Sequence, residues 1–538
     1  MTTQQEVMPK ELLLSAPPTI PQARSYLFKQ QSDLQEYDIQ KGNKIRINIP
    51  RLQRSYLKKD SYLRFRVNID ASNLGGTTAA GLSFDRCGAY GLFDRIEIYD
   101  YLGGTLLEQT QNVPALMTLL RDLNSSLIEF NSHFSVTQGC SGSGVNVKNT
   151  SYTELKSANV GYTFIQTPGT VNPPTAAAQF VTAEFAIPIP SFLGMFSDKF
   201  VPLHNGFSID LFMNSREQAF IARSSSTYQS PSQLDTPSTN YMQIANAWLS
   251  NVEFCCQVLE LGDYAESLLQ SSEPWVIASK QYRNFRDVIS GSENYSSSGP
   301  QSNFRLDLNL NVVSLRNLFF MMRPSIYQEN LLYPSYGHRI RNFLTNWVFQ
   351  YGSSFLPEIS GISCRGINNS TSRVNYPYAP SISGVPQVSS DYTLPQTADW
   401  IRATMCSQAY KELLKTTPNP FPPITLQEYK IDTAASNQAY SGALGYNDYS
   451  GALTSVNSIV PWLDQDEALT GKFAGGLNTR LSEKETVSGI DTNGLLLTVL
   501  GTFDRDNMNN MVTSILDVFA EFDSFIQVIP GVATTVTF

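Results

Sequence analysis

Two stretches decide how this chain is read: Phe93–Glu108, FDRIEIYDYLGGTLLE, and Phe343–Glu358, FLTNWVFQYGSSFLPE. In the first, Ile96 and Ile98 alternate with Arg95, Glu97 and Tyr99, the period-two pattern of a strand with one buried face. Gly103 and Gly104 then supply a turn. In the second, Trp347 and Phe349 alternate with Asn346 and Val348, and Gly352-Ser353-Ser354 punctuates at nearly the same place. Laid on each other without gaps, the stretches share Phe93/Phe343, Tyr101/Tyr351, Leu106/Leu356 and Glu108/Glu358. Whether this is one hairpin used twice depends on what surrounds each copy.

The surroundings repeat as well. Before the first copy, Ile45, Ile47 and Ile49 alternate with Lys44, Arg46 and Asn48, and SYLRFRVNID (61–70) sets Leu63, Phe65, Val67 and Ile69 against Arg64, Arg66, Asn68 and Asp70. Before the second copy, FRLDLNLNV (304–312) alternates in the same way and is read as the counterpart of SYLRFRVNID. After the first copy, Pro114 opens a predicted helix with Leu116, Leu120, Leu123 and Leu127 on one face; after the second, Ile401, Met405, Ala409 and Leu413 recur at four-residue steps. EFAIPIP, FSIDLFM and NVEFCCQVLEL carry the first half to its end; LLLTVLGTF and DVFAEFDSFIQVI carry the second.

Two β domains in matching order explain this arrangement. Each half holds roughly eight strand candidates, the number in a jelly roll of two packed sheets. A strand that hides four side chains such as Leu63, Phe65, Val67 and Ile69 gains about 6–12 kcal/mol before entropy, so the binary pattern suffices to specify such sheets. The expected fold is all-β: two consecutive eight-stranded jelly rolls with short helices and long loop insertions. Residues 1–35, with Pro9, Pro17, Pro18 and Pro21, read as an N-terminal arm; 36–262 and 263–538 read as the first and second roll. The insertions fall near 135–182, 214–245, 262–300 and 360–398, rich in Ser, Gly, Pro, Asn and Tyr.

The composition narrows the function. Among 538 residues only 16% are charged while 11% are aromatic, which suits strands and ordered loops rather than a coiled coil. A net charge of −9 announces no global attraction to nucleic acid. Short apolar runs such as SLRNLFFMM (314–322) do not reach the eighteen residues that suggest a membrane span, and MTTQQEVMPKELLLSAPP lacks the basic and apolar regions of a secretory signal. Without such a signal, the Asn-x-Ser/Thr matches at Asn124, Asn149, Asn294, Asn368 and Asn369 are expected to stay unmodified. Cys87, Cys140, Cys255, Cys256, Cys364 and Cys406 form no C-x-x-C pair and read as reduced thiols made inside a cell.

Catalytic signals are absent from the pattern. His133, His204 and His338 have no second His or Cys at metal spacing, Gly471-Lys472 lacks the upstream glycine of a phosphate loop, and no nucleophile-elbow pattern occurs. Asp464, Asp466 and Glu467 read as a solvated acidic loop, with a weak calcium site as the sharper alternative. We therefore expect no catalytic residue, no cofactor and no metal. The one charge concentration runs from Lys41 through Lys44, Arg46, Arg51, Arg54, Lys58, Lys59, Arg64 and Arg66, against a single acid, Asp60. It reads as a solvated or subunit-facing surface, or as a basic face turned toward DNA or an anionic membrane.

The order of elements, and above all GLFDRIEIYDYLGGTLLEQTQNVPALMTLL (91–120), resembles the double jelly-roll major capsid proteins of the tectivirus and adenovirus lineage, of the kind found in virophages, polinton-like viruses and small amoebal viruses. The second copy departs from that pattern, with Ser353 and Ser354 where glycines stand and Pro357 before the Glu. The resemblance implies a non-enzymatic virion protein, synthesised in the host cytoplasm or a virus factory. It implies a homotrimer forming a pseudo-hexameric capsomer that tiles an icosahedral shell around a dsDNA genome. Expected partners are neighbouring capsomers, penton and minor capsid proteins, packaged DNA or an internal membrane at the inner face (Lys41, Lys44, Arg46, Arg51, Arg54, Lys58, Lys59), and a host receptor through the loops. The alternatives are a glycan-binding or carbohydrate-active β-sandwich, in which Tyr and Trp stack on sugars, and a minor capsid or spike protein.

Overall fold

The computed structural model describes residues 23–39, 44–71, 80–124, 134–140, 160–166, 179–197, 199–224, 244, 246–263, 274–291, 302–325, 335–336, 344–356, 362–363, 475–478, 489–503 and 513–538. The first half is built from β1 (Ala23–Gln31), β2 (Glu36–Asp38), β3 (Lys44–Ile49), β4 (Ser55–Leu57), β5 (Tyr62–Ala71), β6 (Ala80–Asp85), β7 (Phe93–Asp100) and β8 (Leu106–Gln111). Helix α1 (Val113–Asn124) follows, then β9 (Val160–Gln166), β10 (Gln179–Pro188), β11 (Val201–Pro202), β12 (Phe207–Met213), β13 (Phe220–Ser224) and β14 (Asn246–Leu261). The second half contains β15 (Trp275–Ile289), β16 (Asn303–Leu308), β17 (Leu315–Pro324), β18 (Leu344–Tyr351), β19 (Ser354–Leu356), β20 (Ile362–Ser363), β21 (Gly475–Asn478), β22 (Leu497–Phe503), β23 (Ser514–Ile529) and β24 (Val532–Thr537).

Strand order makes each half a jelly roll. In the first, one sheet runs β10-β5-β14 with β1 and β2 along the far side of β14, and the facing sheet runs β3-β12-β7-β8. In the second, the sheets run β15-β23-β17-β21 and β16-β22-β18-β19. If the main strands of each half are counted in chain order, with β1 and β2 as one, both halves read 1-8-3-6 in one sheet and 2-7-4-5 in the other. That is the double Greek-key order of a jelly roll, and it occurs twice.

The inner faces are apolar where the alternation demands it. Ile45, Ile47 and Ile49 of β3 face Leu63, Phe65, Val67 and Ile69 of β5 across the first core, and all seven are buried. The second core gathers Leu318, Phe320 and Met322 of β17 with Trp347 and Phe349 of β18 and Val499 of β22. Three excursions of the first roll, β6, β9 and β13, leave the main sheets and form a sheet of their own, sealed by Phe84 stacked on Phe220 at 5.4 Å and edge-on to Phe164 at 4.8 Å.

The two quoted stretches are the same hairpin. Tyr99 pairs with Leu106 in the first and Phe349 with Leu356 in the second, the positions that coincide in the gapless match. The turns differ. The first is held by Asp100, whose Oδ2 accepts from the Gly103 amide at 2.7 Å and whose backbone carbonyl accepts from the Gly104 amide at 2.9 Å; the second closes directly from Tyr351 to Ser354 through Gly352 at φ 56.

Several expectations shift. Residues 23–31, read as part of the arm, form β1, which pairs along β14 from Ala23 opposite Leu261 to Gln31 opposite Glu253. Among the described residues no strand pairs with its outer edge, and its alternation is half-exposed, so it lacks the apolar signature of a central strand. FRLDLNL is not the counterpart of SYLRFRVNID. It lies in β16 beside β22, as β3 lies beside β12; β17, the apolar run 315–324, is the true counterpart of β5. The segment 262–300, read as an insertion, contains β15, whose buried positions include Ser279 and Gln281 and so hide its period. The helix expected after the first hairpin is α1; Leu127 and the helix expected around 401–413 lie outside the described residues.

Candidate functional site

The most elaborate chemistry among the described residues lies in the seam between the rolls. The first core cluster continues into the second roll through Ile277, Tyr282, Phe319, Met321, Tyr336, Phe519, Ile526 and Val528. Apolar contact alone does not orient two sheets, and buried polar bonds add direction.

At the centre, Arg323 of β17 donates through Nε and Nη2 to Asp517 Oδ2 at 3.0 and 2.7 Å, and through Nη1 to the Ser335 carbonyl at 2.8 Å. Arg286 Nε reaches Asp517 Oδ1 at 2.9 Å, and Asn112 Nδ2 reaches the same oxygen at 2.9 Å from the first roll. Burial would raise the Asp517 carboxyl, but the charges and hydrogen bonds of Arg323 and Arg286 outweigh it and hold the group below its ordinary value. Asn112 reaches across because it sits at φ 51 between β8 and α1, a left-handed position that Asn tolerates.

Tyr336 is the second anchor. Its ring is buried in the first core with Arg323 Cζ 4.8 Å above it; its amide donates to Asp85 Oδ2 at 2.7 Å and its hydroxyl accepts from Asn214 Nδ2 at 3.1 Å. Burial pushes its phenol well above the usual value.

The third anchor is at the hairpin tip. Asn205 donates to the Ile529 and Val532 carbonyls at 3.0 and 2.8 Å and accepts from the Gly531 amide at 3.0 Å, while Thr534 Oγ1 donates to Asp100 Oδ1 at 2.9 Å. A Cβ on Gly103 would stand 2.9 Å from the Ala533 Cβ, so this glycine admits β24. Near the seam, Gln281 Nε2 donates to the Leu107 carbonyl at 3.1 Å. Glu108 faces the first core, with Oε2 accepting from the Phe192 amide at 2.8 Å and Oε1 unpaired; burial raises its carboxyl to about 8.

The basic residues singled out in the sequence do not converge on one face. Lys44 and Arg46 lie on the outer face of β3 and share Asp210 of β12, Arg46 through two bonds of 2.7 Å and Lys44 at 3.3 Å. Burial would raise the Asp210 carboxyl, but hydrogen bonds from Arg46 and Lys44 outweigh it and lower it. Arg54, at φ 58, pairs with Asp263, and Lys58 Nζ donates to Ser25 Oγ at 2.7 Å. Arg51 and Lys59 are exposed or nearly so on the same connection between β3 and β5, and Lys41 lies outside the described residues. Arg64 and Arg66 cross the other sheet's outer face in a ladder with Glu184 and Glu253. These ladders are sheet-face ion pairs, each of modest worth.

His204 lies against Trp275 at 4.6 Å and Tyr56 at 5.6 Å, and Cys87, Cys140, Cys255 and Cys256 are buried cysteines that form no disulfide. Among the described residues no group of three His, Cys, Asp or Glu is placed to hold a metal ion. His133, His338, Cys364, Cys406, Gly471-Lys472 and the acidic cluster Asp464, Asp466 and Glu467 lie outside them. Sequence reasoning missed Asn112, Asn205, Asp517 and Tyr336. The available signal was a pair of carboxylates inside an apolar strand: SILDVFAEF (514–522) buries both Asp517 and Glu521 among apolar neighbours.

No family model matches the chain, and no curated protein matches it. Among solved structures it is similar to a chain of the Sputnik virophage, with 13% identity over 99% of this chain and 92% of that one and a TM-score of 0.49. It is similar to the mavirus major capsid protein, with 10% identity over 95% and 90% and a TM-score of 0.47. The Faustovirus major capsid protein is matched with 9% identity over 94% and 91% and a TM-score of 0.44.

Proposed function

We propose that this chain is a shell-forming structural subunit, a viral major capsid protein without catalytic activity, working in the virion. Three copies form a pseudo-hexameric capsomer, and capsomers tile an icosahedral shell around a dsDNA genome. The observation that carries this reading is the duplication: two jelly rolls of one strand order, joined through a single buried cluster with its own polar anchors. A seam of that kind fixes two similar units at one angle, and a threefold ring of such chains offers six similar edges to its neighbours. Neighbouring capsomers, penton and minor capsid proteins are the partners of this assembly; loops supply receptor contacts. Among the described basic residues, Arg51, Lys58 and Lys59 are the ones left for an inner-face contact with DNA or membrane.

Mass photometry of the recombinant chain followed by negative-stain imaging tests the reading. A trimer of hexagonal outline is expected. A monomer at micromolar concentration overturns it and favours the glycan-binding alternative.

A further inference from the structure

The chain contains two Asn-Gly pairs, Asn205-Gly206 and Asn493-Gly494, and each stands in the loop that leads into one of the equivalent strands β12 and β22. Such a pair is chemically labile because glycine carries no Cβ, so its amide nitrogen can approach the side-chain carbonyl carbon of the asparagine before it. Whether it reacts depends on how the fold holds the two groups.

In the first roll every reacting group is engaged. Asn205 is 1% exposed; its Nδ2 donates to the Ile529 and Val532 carbonyls and to Thr534 Oγ1, and its Oδ1 accepts from the Gly531 amide. The Gly206 amide, which would be the attacking nitrogen, donates to the Leu203 carbonyl at 3.2 Å. A Cβ on Gly206 would stand 2.6 Å from the Ile49 carbonyl oxygen, so a ring has no room to close there. In the second roll the same groups are open. Asn493 and Gly494 are both exposed, in a turn closed by the Leu495 amide on the Thr492 carbonyl at 3.3 Å. Asp491 Oδ1 accepts from the Asn493 backbone amide at 2.9 Å, but among the described residues neither the Asn493 side-chain amide nor the Gly494 N–H has a hydrogen-bond partner. Gly494 lies at φ 74 with nothing within 4 Å of where a Cβ would sit.

We propose that Asn493 is a site of spontaneous deamidation through Gly494, and that Asn205 is protected from the same reaction by its place in the seam. The chemistry needs only the folded chain, not the capsomer. The Gly494 amide nitrogen, giving up its proton to hydroxide, attacks Asn493 Cγ; the new N–Cγ bond closes a succinimide and the side-chain nitrogen leaves as ammonia. Water then opens the imide at either carbonyl, leaving aspartate or isoaspartate, so one water is consumed and one ammonia released. Either product sets a new carboxylate beside Asp491, and isoaspartate also lengthens the backbone of the turn by a methylene. The same loop accepts from the Tyr351 hydroxyl at the Asp491 carbonyl and from the Gly352 amide at the Leu496 carbonyl, at 3.0 Å for the latter. The modification therefore falls where the second hairpin is braced.

The test uses the full wild-type chain, aged at mildly alkaline pH either folded or in urea, and read by peptide-mapping mass spectrometry with isoaspartyl methyltransferase labelling. In urea both asparagines convert. In the folded chain, Asn493 is expected to convert within about tenfold of its rate in urea, while Asn205 is slowed by more than that. Folding that slows Asn493 by more than about tenfold overturns the site, and an Asn205 that converts as fast as Asn493 in the folded chain overturns the protection. Gly494→Ala, which sets a methyl group beside the attacking nitrogen, is expected to slow the conversion of Asn493 by about tenfold or more. Unchanged conversion in that variant overturns the route through the Gly494 nitrogen.

Discussion

Asn112 donates to Asp517 across the seam at 2.9 Å, so a residue at the mouth of α1 and a residue in the middle of β23 hold the two rolls through one buried bond. The bond works because Asp517 is already charged by two arginines. Asp517→Ala is expected to cost about 3–5 kcal/mol, since it strands the buried Arg323 guanidinium, as measured by urea unfolding. Asn112→Gly keeps the left-handed backbone and removes only the side chain; a loss of about 1.5–3 kcal/mol is expected.

Glu108 gives the stability a pH signature. An unfolded Glu loses its proton near 4.5, whereas the buried group keeps it to about 8. The folded state binds the extra proton between those values, so stability is full below the lower one and falls as pH rises toward the upper. The expected decline between pH 5 and 8 is roughly 3 kcal/mol. Glu108→Gln retains an acceptor for the Phe192 amide and should flatten the profile over that window. Asp517 and Asp210 are lowered rather than raised, and their contributions are lost only toward acid. Urea midpoints of both proteins at three pH values decide the matter.

The two glycines of the first turn should respond differently. Gly103→Ala places a methyl group against Ala533 and is expected to cost about 1–3 kcal/mol, with most of it recovered when Ala533→Gly is added. Gly104 has open space around it and a φ of 64, so Gly104→Ala costs about 1–2 kcal/mol through the backbone alone and gains nothing from Ala533→Gly. A thermal-melt double-mutant cycle separates the two.

Tyr336 offers a graded test of the second anchor. Tyr336→Phe keeps the ring in the first core, and Asn214 still has the Gly91 carbonyl at 3.2 Å, so a loss of about 1 kcal/mol is expected. Tyr336→Ala empties the site and should cost about 3–5 kcal/mol. Differential scanning calorimetry should show the second variant splitting one transition into two as the rolls uncouple.

The strands that were legible beforehand are those whose two faces differ. Ile45, Ile47 and Ile49 against Lys44, Arg46 and Asn48 leave no other reading, and the hairpin match at Tyr99/Phe349 and Leu106/Leu356 survives in the hydrogen-bond register. β15 was hidden because its inner face meets the other roll through Ser279 and Gln281, and β17 because nearly all its residues are buried, which erases alternation. The seam itself depends on pairings between residues far apart in the chain, such as Asn205 with Val532, that no local pattern announces. The basic run was visible as a run, but β3 and the β4–β5 connection belong to different sheets, which divides it.

Strand order also sets the tempo at which this molecule is made. β14 closes the first roll by pairing Leu261 with Ala23, and β23 closes the second by pairing Val528 with Trp275, so in each roll the first strand waits for the last. Until β14 emerges, β1 and β5 have no shared neighbour, and their bare edges are open to strands from other nascent chains. Slow refolding from urea, improved by dilution or by a holdase chaperone, is the kinetic consequence of a topology that keeps its central strand for the end.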